Sequence, residues 1–126
     1  MEFTGKVTID KLVRLYSTKS ILVMSSLHEG FGLPAAEAMS CETPVVVTTS
    51  GALKEVVTPE CGILVPPRDP EAMKNAIEKL LNDDNLRKEM GNNGRKRAVE
   101  NFSWSIAAKN TLDVYEDVIK NYRRGK

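Results

Sequence analysis

The chain has 126 residues, room for one compact domain (residues 1–126) and too few for two ordinary ones. Hydrophobic residues make up 41% and charged residues 28%, which excludes a disordered chain, and a formal charge of +1 asks for no nucleic acid or acidic surface as partner. A single histidine and two cysteines without CxxC spacing, Cys41 and Cys61, argue against a zinc site, and nothing marks the pair as a secreted-protein disulfide.

The opening residues 1–10 lack an apolar leader core, and no apolar run approaches ~20 residues, so the expected compartment is the cytoplasm. Residues 2–4 offer at most a fragment of a strand. Ile9, Leu12, Val13 and Tyr16 then recur at i, i+3, i+4 and i+7 behind Thr8, an amphipathic helix with its cap. Residues 21–24 (ILVM) form a short continuous apolar run, the pattern of a parallel strand buried on both faces. Residues 33–41 follow as a short helix with Pro34 in its first turn, and Cys41 at its end is expected to be buried. Residues 44–48 and 62–65 repeat the buried-strand pattern, with a helical turn at 51–57 between them.

Asp69-Pro70 opens a clear helix with Met73, Ala76, Ile77, Leu80 and Leu81 on one stripe. The next helical stretch, 83–102, is diluted by Gly91 and Gly94. A last helix, capped by Ser103, lines up Trp104, Ala108, Thr111, Leu112, Tyr115, Ile119 and Tyr122 as a face expected to join the core. Strands alternating with helices give an α/β fold with a parallel sheet, flanking helices and a C-terminal helical segment. Three strands leave bare edges, and an edge as apolar as residues 21–24 predicts a homodimer through it. The basic end, residues 120–126, would favour weak contact with an anionic membrane surface, although a solvated helix end is the commoner reading.

The chemistry concentrates at residues 28–37, HEGFGLPAAE, a loop at the carboxyl end of a parallel strand, where open α/β sheets bind ligands. Gly30 and Gly32 allow close backbone approach or positive φ, and the amides of Phe31, Gly32 and Leu33 open a helix, a site suited to phosphate. The loop is neither a P-loop nor GxGxxG. Glu29 and Glu37 flank it, and two carboxylates beside a phosphate site make sense when the ligand carries diols on both sides of its phosphates. That describes a sugar nucleotide. On the residues alone, sugar-nucleotide binding, an unspecific phosphate site and plain helix capping all remain open. His28 is expected to face solvent, and the acidic NDDN at 82–85 to cap a helix rather than hold a metal.

Residues 25–48, SSLHEGFGLPAAEAMSCETPVVVT, closely resemble the signature of the group 1 retaining GT-B glycosyltransferases, whose hallmark is Glu-x7-Glu. The likeness continues through FTGKV, SGALKEVV, GILVPPRDPEAMKNAI and RAVENFSW. It implies a partial Rossmann-like fold, the later part of the nucleotide-sugar-binding C-terminal domain. It implies Glu29 as the catalytic-site glutamate on the donor sugar, with Gly30, Phe31, Gly32 and Leu33 at the sugar and distal phosphate. Glu37 would hold the ribose diol, Val7 would lie near the base, and Ser50 and Gly51 would border the sugar pocket. The implied substrate is a UDP- or GDP-sugar, with no cofactor and no metal.

Glu42 stands where the family usually has glycine, so a strained left-handed residue is expected there. The family's GGIPE reads Gly51-Ala52-Leu53-Lys54-Glu55. The Arg and Lys that neutralise the diphosphate, and the acceptor-binding N-terminal domain, lie upstream of FTG in the family. The chain alone is therefore expected to bind donor with little or no turnover. A non-catalytic nucleotide-binding or scaffold module, and a sugar-nucleotide epimerase of similar fold, are the competing readings.

Overall fold

The computed structural model describes residues 2–124. Its elements run α1 (Ile9–Thr18), β1 (Leu22–Met24), α2 (Leu33–Ser40), β2 (Val45–Thr48), α3 (Leu53–Val56), β3 (Gly62–Val65), α4 (Pro70–Leu81), α5 (Asp84–Phe102) and α6 (Trp104–Arg124). The strands form one parallel sheet in the order β1-β2-β3, with Leu22 opposite Val45 and Val45 opposite Gly62. Residues 2–4 are coil, so the strand fragment expected there does not form.

Because side chains alternate across a strand, the register sorts the core into two layers. Val45 and Val47 face α2, α3 and the later part of α5, in a cluster with Ala35, Ala38, Met39, Leu53 and Val56. Val46 turns the other way and packs with Val65, Ala76, Leu80 and Met90 under α4 and the start of α5. The three central valines are fully buried, and burying each contributes about 1.5–3 kcal/mol.

β1 departs from the two-faced burial its sequence predicts. Leu22 and Met24 pack on the α2 layer, but Val23 is 42% exposed. Val23 pairs with Val46 and so points to the α4 layer, where α4 packs over β2 and β3 and leaves Val23 exposed. The same shortage of partners leaves α1 without a buried residue, although Thr8 caps it as expected by accepting from the Lys11 amide at 3.4 Å.

The caps of the later helices follow their sequence signals. Asp69 Oδ1 accepts from the Ala72 amide, and Asp83 Oδ1 from the Leu86 amide, each at 2.9 Å, so the acidic 82–85 stretch serves as a helix start. Gly91 and Gly94 do not break α5; both are buried against the turn after α2 and Met39. Glu42 adopts φ +62, the left-handed conformation expected of a residue in a glycine's place. Cys41 is only half-buried at the end of α2, because it caps the helix rather than facing the sheet; Cys61 is buried, and both thiols are free.

The largest departure is α6. Ser103 caps it, with its hydroxyl accepting from the Ile106 amide at 3.4 Å, but the apolar face does not join the core. Trp104 is 92% exposed, and Leu112, Tyr115, Ile119 and Tyr122 are exposed with it. The helical period fixes which residues share a face, not whether a partner covers it. The basic end, 120–126, runs past the described residues. No described helix is long and apolar enough to cross a membrane.

Candidate functional site: the β1–α2 turn

The turn after β1 is built by two loops laced together. Thr48 Oγ1 and Ser50 Oγ both donate to the Ser26 carbonyl, at 2.6 and 2.8 Å, which fixes residues 25–29 over the end of β2. Ser50 is buried, so its hydroxyl acts as this strut. Gly51 lies at φ +55 directly beneath the Glu29 peptide, where a Cβ would stand 3.0 Å from the Glu29 carbonyl carbon and closer to its oxygen. The Ala52 amide donates to that same carbonyl at 3.3 Å. Glycine at 51 is thus what lets the two loops touch.

The two glycines of the turn differ. Gly32 caps α2 at φ +94, and a Cβ there would lie 2.6 Å from Leu53 Cδ2. Gly30 has ordinary φ and open space around it, so its smallness serves access rather than conformation. Pro34 in the first turn of α2 carries no amide, and the Ala35 and Ala36 amides return to the Gly32 carbonyl. The amides of Phe31, Gly32 and Leu33 meet no acceptor among the described residues. A helix start with unpaired donors and no capping side chain carries a local positive potential.

Along the chain the acidic pair flanks these donors. Half-buried Glu29 accepts one hydrogen bond, from Ser26 Oγ to Oε2 at 3.3 Å. Exposed Glu37, one turn into α2, accepts one from the Tyr16 hydroxyl to Oε2 at 3.2 Å. Each carboxylate keeps its second oxygen without a partner among the described residues. No lysine or arginine hydrogen bonds to residues 25–33 within the same set. The phenol of Tyr16 is pushed up to about 12, first by burial and then by the Glu37 charge and hydrogen bond.

The sequence-predicted residues do not all share one cavity. Phe31, Leu33 and Glu37 line an apolar groove of about 590 Å³ with Phe102 and Trp104. Phe31 stacks edge-on against Phe102 at 5.5 Å, and Arg97 sits over the Phe102 ring at 5.6 Å. Glu29, Gly32, Ser50 and Gly51 meet on the other side of the turn through the contacts above. Val7 stands half-buried on the coil before Thr8, and no hydrogen bond ties it to the turn among the described residues. His28 is exposed, as expected. Tyr16 and Ser26, which hold the two carboxylates, were not legible as site residues. Tyr16 read as one more position on a helix stripe, and a lone serine carries no pattern.

Comparison with known proteins decides the family. Residues 1–97 match the family described as glycosyl transferases group 1. The chain belongs to the group 1 glycosyltransferases. It is 43% identical over 112 residues to an MMP alpha-(1->4)-mannosyltransferase of Mycolicibacterium hassiacum, covering 87% of this chain and 27% of that protein. To a D-inositol 3-phosphate glycosyltransferase of Streptomyces bingchenggensis it is 38% identical over 125 residues, covering 98% of this chain and 27% of the relative. Its structure superposes on a sucrose-phosphate synthase of Thermosynechococcus elongatus with a TM-score of 0.87 and 37% identity, over 95% of this chain and 30% of that one. The fold is accordingly that of a GT-B glycosyltransferase, and the chain spans about a third or less of these relatives' length. The three relatives carry three different names, so family membership leaves the sugar and the acceptor open.

Proposed function

We propose that this chain is the donor-binding part of a retaining glycosyltransferase that takes a nucleotide sugar, a UDP- or GDP-sugar. One observation carries the reading: the three amides at the start of α2 that meet no acceptor among the described residues stand, along the chain, between two glutamates that each keep one carboxylate oxygen without a partner in the same set. Amides of this kind take a diphosphate. Carboxylate oxygens take the hydroxyls of a sugar on one side and of a ribose on the other. Glu29, with Gly30, Ser50 and Gly51 around it, is assigned to the sugar, Phe31, Gly32 and Leu33 to the phosphates, and Glu37 to the ribose, with Val7 toward the base.

In the proposed transfer the bond from the anomeric carbon to the phosphate oxygen breaks, its electron pair leaves with the diphosphate, and the acceptor hydroxyl's oxygen bonds to the same face of the sugar while its proton passes to the departing diphosphate. The amides stabilise part of the leaving charge, with no metal or cofactor assigned, and cationic side chains from elsewhere in a whole enzyme stabilise the rest. The chain by itself is then a binder with little or no turnover, and acceptor recognition belongs to an N-terminal domain. The cytoplasm suits two free thiols that no disulfide protects.

Titration with UDP, GDP and their sugars tests the assignment. Glu37→Ala is expected to weaken nucleoside diphosphate binding by about 1–3 kcal/mol, while Glu29→Ala spares the diphosphate and weakens only the sugar-bearing form. Unchanged affinity in Glu37→Ala would remove the ribose role. The bare side of β1, with Val23 exposed beside it, is further proposed to pair with a second copy. Sedimentation should then give twice the monomer mass at high concentration, and Val23→Lys should restore the monomer; a wild-type monomer at all concentrations overturns the pairing.

A further inference from the structure

Glu37 is an exposed side chain on a helix, and such a carboxylate samples several rotamers before a ligand arrives. Its one donor among the described residues is Tyr16, twenty-one positions earlier on α1. Tyr16 is itself held at both ends. Its ring packs against the core layer that contains Met39 and Val47. Its carbonyl accepts from the buried Thr43 Oγ1 at 2.5 Å, which ties this turn of α1 to the turn between α2 and β2. The hydroxyl therefore reaches Glu37 Oε2 from a fixed base, and Oε1 is left free.

We propose that Tyr16 is a positioning residue for the nucleotide site: it orients the Glu37 carboxylate so that the free oxygen meets the ribose diol, and so sets discrimination for ribonucleotides. This rests on the assignment of Glu37 to the ribose. The tether removes rotamer freedom before binding, so the ligand bears less of that cost. Tyr16 touches no ligand in this arrangement; it acts only through Glu37. Each carboxylate oxygen has two acceptor positions, so the bond from Tyr16 leaves Oε2 able to accept a second hydroxyl. The displaced titration of the phenol is the spectroscopic mark of the contact, since neutralising Glu37 takes away its charge as a cause and weakens the hydrogen bond, leaving burial and the Cys41 thiolate.

Two measurements test this on the full chain. In the first, UDP and 2′,3′-dideoxy-UDP are titrated against wild type, Tyr16→Phe and Glu37→Ala. Phenylalanine keeps the ring packing. Tyr16→Phe is expected to weaken UDP roughly 3- to 10-fold, the loss of one hydrogen bond, and to leave the dideoxy analogue unchanged; a role in packing alone would weaken both equally and overturns the proposal. A wild type that prefers UDP, with the preference lost in Glu37→Ala and kept in Tyr16→Phe, removes Tyr16 and leaves the ribose assignment standing. A wild type that binds both nucleotides equally, or neither, removes that assignment and this inference together. In the second, tyrosinate absorbance is followed on raising the pH, with Tyr16→Phe identifying the Tyr16 component. Glu37→Gln should move that component to lower pH, and an unmoved component would mean that the hydrogen bond is absent in solution.

Discussion

Replacing Gly91 by alanine is expected to destabilise the fold by about 2–4 kcal/mol. The direction opposes helix propensity, which favours alanine over glycine inside a helix by about 1 kcal/mol. Gly91 lies in the interior of α5, where that helix crosses the end of α2, and a Cβ there would stand 3.0 Å from the Glu42 carbonyl carbon and closer to its oxygen. A flexible side chain would swing aside, but a backbone carbonyl does not. Glu42 is already left-handed at φ +62, and its peptide belongs to the turn that leads into β2. Arg95 fastens the same corner from α5, donating to the Ser40 carbonyl at 2.5 Å and lying 3.5 Å from a Glu42 carboxylate oxygen. The added methyl must therefore push α5 away from α2 or distort the turn, and either opens the buried layer around Met39. Denaturant unfolding should show a lower midpoint with an unchanged slope. Gly94→Ala provides the comparison: its Cβ would lie 3.3 Å or more from the Met39 side chain, which can yield, so its cost should be distinctly smaller. Stability of Gly91→Ala equal to or above wild type would show that glycine there does not set the approach of the two helices.

That pair of glycines marks where the sequence was legible and where it was not. The elements were readable because caps and apolar runs are local signals. Asp69, Asp83, Ser103 and Thr8 each cap the helix their position announces. The three strands follow from runs of valine, isoleucine and leucine too short for helices. Gly91 and Gly94 read as dilution of a helix because their meaning lies in what approaches them from α2, and that approach is not local. The same gap explains Trp104 and Val23. Periodicity placed Trp104 on an apolar helix face and a continuous apolar run placed Val23 in a strand buried on both sides, but burial depends on an element packing over the residue, and both stay exposed. At the site the donor amides and both glutamates stood in one contiguous motif and were readable together. The groups that hold the glutamates were less accessible: Tyr16 is twenty-one residues from Glu37, and the Thr48 and Ser50 hydroxyls reach back across the sheet to Ser26.

Gly51→Ala is expected to do its main damage to the β1–α2 turn, the proposed donor site, rather than to the core. Two costs coincide at this position. Alanine at φ +55 occupies the left-handed region, at about 1–2 kcal/mol. Its Cβ also meets the carbonyl oxygen, carbonyl carbon and nitrogen of Glu29, and none of these atoms is at the free end of a side chain. The surroundings decide what gives way. The loop after β2 is anchored by Ser50 to Ser26, and the Ala52 amide continues it into α3, whose Leu53 and Val56 are core residues. The segment from Glu29 to Phe31 has open space at Gly30 and exposed neighbours, so it is the softer partner. The strain should therefore move the Glu29 peptide outward and loosen the Ser26 hydroxyl contact to its carboxylate. If Glu29 reads the sugar and Glu37 the ribose, affinity for a sugar nucleotide should fall about 10-fold or more, an order-of-magnitude expectation for losing one well-placed charged hydrogen bond. Affinity for the nucleoside diphosphate, which on the same reading depends on the α2 amides and Glu37, should change much less. Parallel titrations of UDP-glucose and UDP against both proteins give the comparison. Equal losses for the two ligands would mean that the displacement spreads into the start of α2. No loss for either would mean that the contact between Gly51 and Glu29 does not control the geometry of the sugar side.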